Sequence, residues 1–124
     1  MIVAGIGSRP GCSGVEIAGL VERAAREAGC RPERLAVPGF RADAAGPQAA
    51  ALLSLPLLIV EAGALAAVQV RCSTRSARAE AATGIASVAE GCALASAGPD
   101  GILRLRRIAS ANATCAIADG GGVP

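Results

Sequence analysis

Phe40 is the only aromatic side chain in 124 residues; Trp and Tyr are absent. Whatever core this chain builds must therefore come from Ala, Val, Ile and Leu, which supply nearly all of its apolar half. Without rings to span gaps, layers of secondary structure have to approach closely. The length suits one domain, with about two thirds of the unfolded surface removable from water.

The same inventory narrows the function classes. A formal charge of +2 offers little long-range attraction to a phosphate backbone, and Phe40 alone is available for base stacking, so nucleic acid is not an expected partner. No run reaches the roughly 18 uncharged apolar residues of a membrane helix, and the start of the chain lacks a signal-peptide pattern. The expected location is cytoplasmic, with no membrane contact. His is absent, removing the commonest general base and metal ligand. All basic residues are Arg, which rules out Schiff-base chemistry and leaves permanent cations suited to forked pairing with carboxylates or phosphates. Cys12, Cys30, Cys72, Cys92 and Cys115 are odd in number and scattered. Neither a disulfide framework, a metal site nor a cofactor is expected from them.

Along the chain, strands alternate with helices. Ile2 to Ile6 is a short apolar run ending near glycine, and Ser13-x-x-Glu16 is a capping box that opens a helix. Ile17, Leu20, Val21, Ala24 and Ala28 recur at helical spacing, Glu22 and Arg26 stand four apart, and Gly29 stops the helix. Arg34 to Pro38 reads as a second strand, residues 46–53 as a helix, and Leu57 to Val60 as a third strand. A helix over 62–68 follows, then a weaker helical stretch at 76–82. Ser87-x-x-Glu90 is a second capping box, whose helix ends at Gly98. Leu103 and Leu105 then alternate with Arg104 and Arg106, and with Thr114 to Ala118 they form a hairpin around the turn at 110–112. This order predicts an α/β fold of three layers, α/β/α, with a mainly parallel or mixed sheet and a C-terminal hairpin, in one domain over 1–119 and a frayed tail over 120–124. Ligands in such sheets sit beyond the carboxyl ends of the strands.

The stretch GIGSRPGCSG (residues 5–14) lies at one such end. From Gly5 and Gly7 the third glycine of a dinucleotide fingerprint falls on Pro10, and no P-loop is present. Two readings stay open: an anion site, with amides at the helix start and Arg9 beside them, or a tight strand-to-helix connection with a solvated Arg. Cys12, beside the helix start, is either a thiol of lowered pKa or an inert one.

Five motifs in order, GIGSRPGCS (5–13), FRADAAG (40–46), SLPL (54–57), GIASVAEGCAL (84–94) and TCAIA (114–118), resemble the family of CobE and the C-terminal domain of CbiG, proteins of cobalamin biosynthesis. The resemblance covers nearly the whole chain. It implies a three-layer α/β domain working on tetrapyrrole intermediates between precorrin and the corrin ring, within a pathway where CbiG proteins open a ring-A lactone. By position, Gly5, Gly7, Arg9, Gly11 and Ser13 match the family's glycine-rich turn, where Ser8 stands in place of a frequent Cys and Pro10 in place of a second basic residue. Arg41 stands where Lys is usual, Asp43 is kept, Gly84, Ser87, Val88 and Glu90 match closely, and an Arg among 104–107 replaces a Lys.

A precorrin or hydrogenobyrinic-acid-type ligand carries many acetates and propionates, so its site needs several cations and N–H donors around an apolar face. The ligand-binding candidates are Gly5, Gly7, Ser8, Arg9, Gly11, Cys12, Ser13, Arg41, Ser73 and Ser87. Glu90 and Asp43 are the candidate acids for a proton step, each with a second reading as a capping or turn residue. The chain is accordingly expected to be a carrier or accessory factor for such a tetrapyrrole that also meets other corrin-pathway enzymes, with an enzyme of that pathway and a small phosphate- or nucleotide-binding module as alternatives.

Overall fold

A computed structural model of the chain describes residues 1–41, 45–73 and 87–120. Its centre is β1 (Ile2–Ser8), which is buried along almost its whole length because both its neighbours in the sheet and a helix on each face cover it. The sheet order is β3-β2-β1-β5-β4, where β2 is Arg34–Pro38, β3 is Leu57–Val60, β4 is Ile102–Ala109 and β5 is Ala113–Asp119. β1, β2 and β3 run parallel, whereas β5 lies antiparallel to β1 and forms a hairpin with β4. The expected three-layer α/β/α arrangement with a mixed sheet is thus the observed one.

Side chains on β1 and β2 alternate between two cores, as the pleat requires. Ala4, Ile6, Leu35 and Val37 meet Ile17, Leu20, Val21 and Ala24 of α1 (Gly14–Ala28) and Ala49 of α2 (Ala45–Leu53). Val3 and Ala36 meet Leu65 of α3 (Ala62–Ala67) and Cys92 of α4 (Val88–Ala97) on the other face. The closest approach is at Gly5, where an added Cβ would stand 2.5 Å from the backbone nitrogen of Ala93 and collide with the carbonyl of Ala89. Gly7 likewise faces Val88 and Thr114. α4 therefore lies directly on the backbone of β1, which is how a chain with no rings closes its layers.

The structure revises some local expectations. β1 runs on to Ser8 rather than stopping at Ile6, because β5 continues the ladder as far as the pair Ser8↔Ala113. The first four residues of the glycine-rich stretch, 5–8, are therefore strand. On α1 the ion pair is Arg23 with Glu27, 3.1 Å apart, instead of Glu22 with Arg26; Arg23 also donates to the carbonyl of Ala109. The helix stop at Gly29 is as expected, with φ of 70°. The weaker helix read at 76–82 lies outside the described residues. Of the tail, Gly120 is bonded to the carbonyl of Met1 at 2.7 Å, and 121–124 lie outside the description.

Candidate functional site

The chain between β1 and α1 is short. Cys12 N–H donates to the carbonyl of Arg9 at 3.1 Å, with Pro10 and Gly11 between them and Gly11 at φ 85°. Pro at the second and left-handed Gly at the third position is the requirement of a type II turn. Arg9 N–H is bonded to the carbonyl of Asn112 at 2.9 Å, tying this turn to the β4–β5 hairpin. The N–H groups of Gly11 and Ser13, and the exposed guanidinium of Arg9, have no partner among the described residues. Ser13 Oγ accepts from Glu16 N at 3.0 Å and so starts α1.

Glu16 does not reach back to Ser13, as the full capping box would have it. Oε2 of Glu16 accepts from Asn112 N at 2.7 Å and from Ser110 Oγ at 2.5 Å, and Oε1 accepts from Asn112 Nδ2 at 3.1 Å. These donors, Ser110 first, hold its carboxyl below the ordinary glutamate value.

The second box departs further from expectation. Ser87 is the residue before α4, but its side chain caps nothing. Gln69 takes the part expected of Glu90: its Oε1 accepts from Ser87 N at 2.9 Å, and its Nε2 donates to the carbonyl of Ser87 at 3.0 Å. Glu90, fully buried, accepts from Ser73 N at 2.8 Å, Ser73 Oγ at 3.2 Å, Ser87 Oγ at 3.4 Å and Arg107 N at 3.0 Å. A carboxylate so enclosed holds three segments together. It does not cap its own helix.

α4 starts beside Gly7 and runs back past Gly5, so the starts of α1 and α4 and the end of β1 share one edge of the sheet. The structure brings Ser8, Arg9, Gly11, Cys12 and Ser13 to that edge on one connection, and Ser73, Ser87 and Glu90 into one cluster at the start of α4. Gly5 and Gly7 are also on β1, in the ladder, where close packing accounts for their lack of a side chain. Cys12 is buried in the core of α1, its Sγ 3.6 Å from the carbonyl of Ser13. Arg41 ends a 3-10 turn (Gly39–Arg41) after β2; Asp43 lies outside the described residues. Among the other thiols, burial pushes Cys92 well up and Cys115 up to about 12, consistent with packing roles. No group of His, Cys, Asp and Glu able to hold a metal, and no helix long and apolar enough to cross a membrane, occurs among the described residues.

Sequence reasoning missed Gln69 and Asn112 and did not single out Arg107 among the arginines of 104–107, because their partners lie far away in the chain. A groove of about 400 Å³ lined by Cys30, Arg26, Arg31, Leu53 and Leu55 lies where α1 ends, at the opposite edge of the sheet.

The family model of the cobalamin synthesis G C-terminus matches residues 2–118. The chain is 36% identical over 121 residues to Protein CobE from a Sinorhizobium species, covering 94% of this chain and 79% of that protein. The crystal structure of CobE, a protein from the cobalamin (vitamin B12) biosynthetic pathway, superposes with a TM-score of 0.87 at 33% identity, covering 95% of this chain and 89% of that one. That of the cobalamin biosynthesis protein chiG from Agrobacterium tumefaciens gives 0.79 at 36% identity, covering 96% and 98%.

Proposed function

Because the chain belongs to the family of the cobalamin synthesis G C-terminus, and so to the cobalamin biosynthetic pathway, we propose that it binds a polycarboxylate, precorrin-type tetrapyrrole as a carrier or accessory factor. The observation that carries the reading is the shared edge at the end of β1. There the guanidinium of Arg9 and the amides of Gly11 and Ser13, without partners among the described residues, stand at the start of α1, at the same edge of the sheet as the polar cluster of Ser73 and Ser87 on its other face. Apolar surface lies at the same edge, with Val15 72% and Phe40 45% exposed. Carboxylates recognised by Arg and backbone N–H around an apolar face is the chemistry that a tetrapyrrole of this kind demands.

The donors that Glu90 gathers, those of Ser73, Ser87 and Arg107 among them, favour a carrier over an enzyme that moves protons through this residue. Handing the ligand to another enzyme of the pathway accords with a site built at an open edge. The test is a visible-absorption titration of late precorrins and hydrogenobyrinic acid with the protein and with Arg9→Ala, each mixture followed over time. A saturable, steady shift that weakens in Arg9→Ala is the expected result. A spectrum that drifts with time indicates turnover and overturns the carrier reading; no shift with any macrocycle overturns tetrapyrrole binding and directs attention to a protein partner.

A further inference from the structure

The edge strand β4 contains two bulges that treat their arginines differently. Between Leu103↔Ala118 and Leu105↔Ile117, β4 advances two residues and β5 one; between Leu105↔Ile117 and Ile108↔Cys115, β4 advances three and β5 two. The first extra residue brings in Arg104, the second the pair Arg106 and Arg107. At the first bulge Nη1 of Arg104 lies 3.0 Å from Oδ2 of Asp119, so that cation is answered within the chain. At the second, the displaced N–H of Arg107 donates to Oε2 of the fully buried Glu90 at 3.0 Å. Neither guanidinium at this bulge has a hydrogen bond or ion pair among the described residues, although Arg107 is half-buried.

A bulge redirects the side chain it carries, and a half-buried guanidinium that none of the described residues answers gives up hydration until an anion arrives. The carboxylate that fixes the backbone of Arg107 also fixes Ser73 and Ser87. Its charge is taken up by those donors, which leaves the fork of Arg107 for another acid. We propose that Arg107 binds a carboxylate side chain of the tetrapyrrole, and that Glu90 is the positioning residue that holds Arg107 beside Ser73 and Ser87 to do so. The inference rests on the reading given under Proposed function and extends it to the β4 side of α4.

Hydrogenobyrinic acid is titrated by visible absorption into the wild type, Arg107→Ala, Arg107→Lys, Glu90→Gln, the double variant Glu90→Gln/Arg107→Ala, and Arg104→Ala, each checked for its fold by far-UV circular dichroism. Removing a charge-assisted pair raises the Kd about tenfold or more in Arg107→Ala. Arg107→Lys recovers only part of this, since a point charge lacks the fork. Glu90→Gln weakens binding too, and the double variant binds no worse than Arg107→Ala, because Glu90 acts through Arg107. Arg104→Ala binds as the wild type does. Equal Kd for the wild type and Arg107→Ala overturns the assignment of Arg107 while leaving tetrapyrrole binding intact; strictly additive losses overturn the positioning role of Glu90. A wild type that does not bind overturns the functional reading and this inference with it. Should Glu90→Gln fail to fold, Glu90→Asp, too short to reach Arg107 N in the same way, replaces it in the cycle.

Discussion

The chain contains the motif S-x-x-E twice, and the two copies end differently. Ser13 caps α1 as the motif prescribes, while Glu16 turns outward to the hairpin turn. Ser87 caps nothing, its backbone is held by Gln69, and Glu90 turns inward to the body of β4. In both cases the acid leaves its own helix for the same hairpin, gripping it from opposite faces of the sheet. A local motif sets where a helix begins. What surrounds the third residue decides what its carboxylate does: at a half-exposed site it collects nearby turn donors, and at a buried one it gathers donors from segments far along the chain.

The comparison breaks most visibly at Glu90. Glu90→Ala removes the fully buried carboxylate that accepts from the N–H groups of Ser73 and Arg107, and a loss of about 3 kcal/mol is expected in urea unfolding followed by far-UV circular dichroism. A loss below about 1 kcal/mol would show that water replaces the carboxylate and that the inner site is not dry. Next is Gly5→Ala, which pushes α4 off β1; overpacking of this kind costs about 1–3 kcal/mol and should lower Tm, whereas Gly19→Ala on the open face of α1, where an added Cβ meets nothing, should not.

The two serines sharpen the contrast. Ser13→Ala should cost about 1 kcal/mol through its lost cap, and Ser87→Ala less, since its hydroxyl makes only a 3.4 Å contact with Glu90; the reverse order in denaturant midpoints would contradict the assignment of caps. The smallest effect concerns acid. The Glu16 carboxyl is held below its unfolded value, so its contribution is complete above the unfolded pKa and is lost as pH falls through the folded one. The difference in midpoint between wild type and Glu16→Gln should therefore shrink on acidification below the ordinary carboxylate range. A difference that stays constant with pH would mean that charge is not what holds Asn112 and Ser110.

These cases show why part of the molecule is legible in its sequence. Arg34–Pro38 and Leu57–Val60 emerge as strands with the bounds they have, because short apolar runs flanked by turns are a local signal. The starts of α1 and α4 follow from Ser13 and Ser87 for the same reason. The end of β1 does not, since Gly7 and Ser8 extend the strand only by pairing with Thr114 and Ala113, over a hundred residues away. Glu90 shows the limit best: its donors lie 17 residues before and 17 after it. The bulges of β4 are hidden by an alternation of Leu and Arg that reads as a regular strand.

Glu90 also stands apart from the glycine connection in what it says about the site. The amides of Gly11 and Ser13 are offered by a turn whose shape Pro10 and Gly11 dictate locally, and such a turn survives most changes elsewhere. The cluster of Ser73, Ser87 and Arg107 depends on a single side chain to which three separate segments answer. The first half of the edge is built into the chain; the second is assembled by folding.

The bond from Gly120 to the carbonyl of Met1, with the Met1 ammonium 3.9 Å from Asp119, joins the first and last strands at the edge away from the glycine connection. Residue 120 and residue 1 are neighbours in space, so a few added residues can connect them, and a circular permutant opened elsewhere in an exposed turn should keep the same sheet. The fold is in this sense a ring of chain with a seam, and the seam faces away from the proposed ligand.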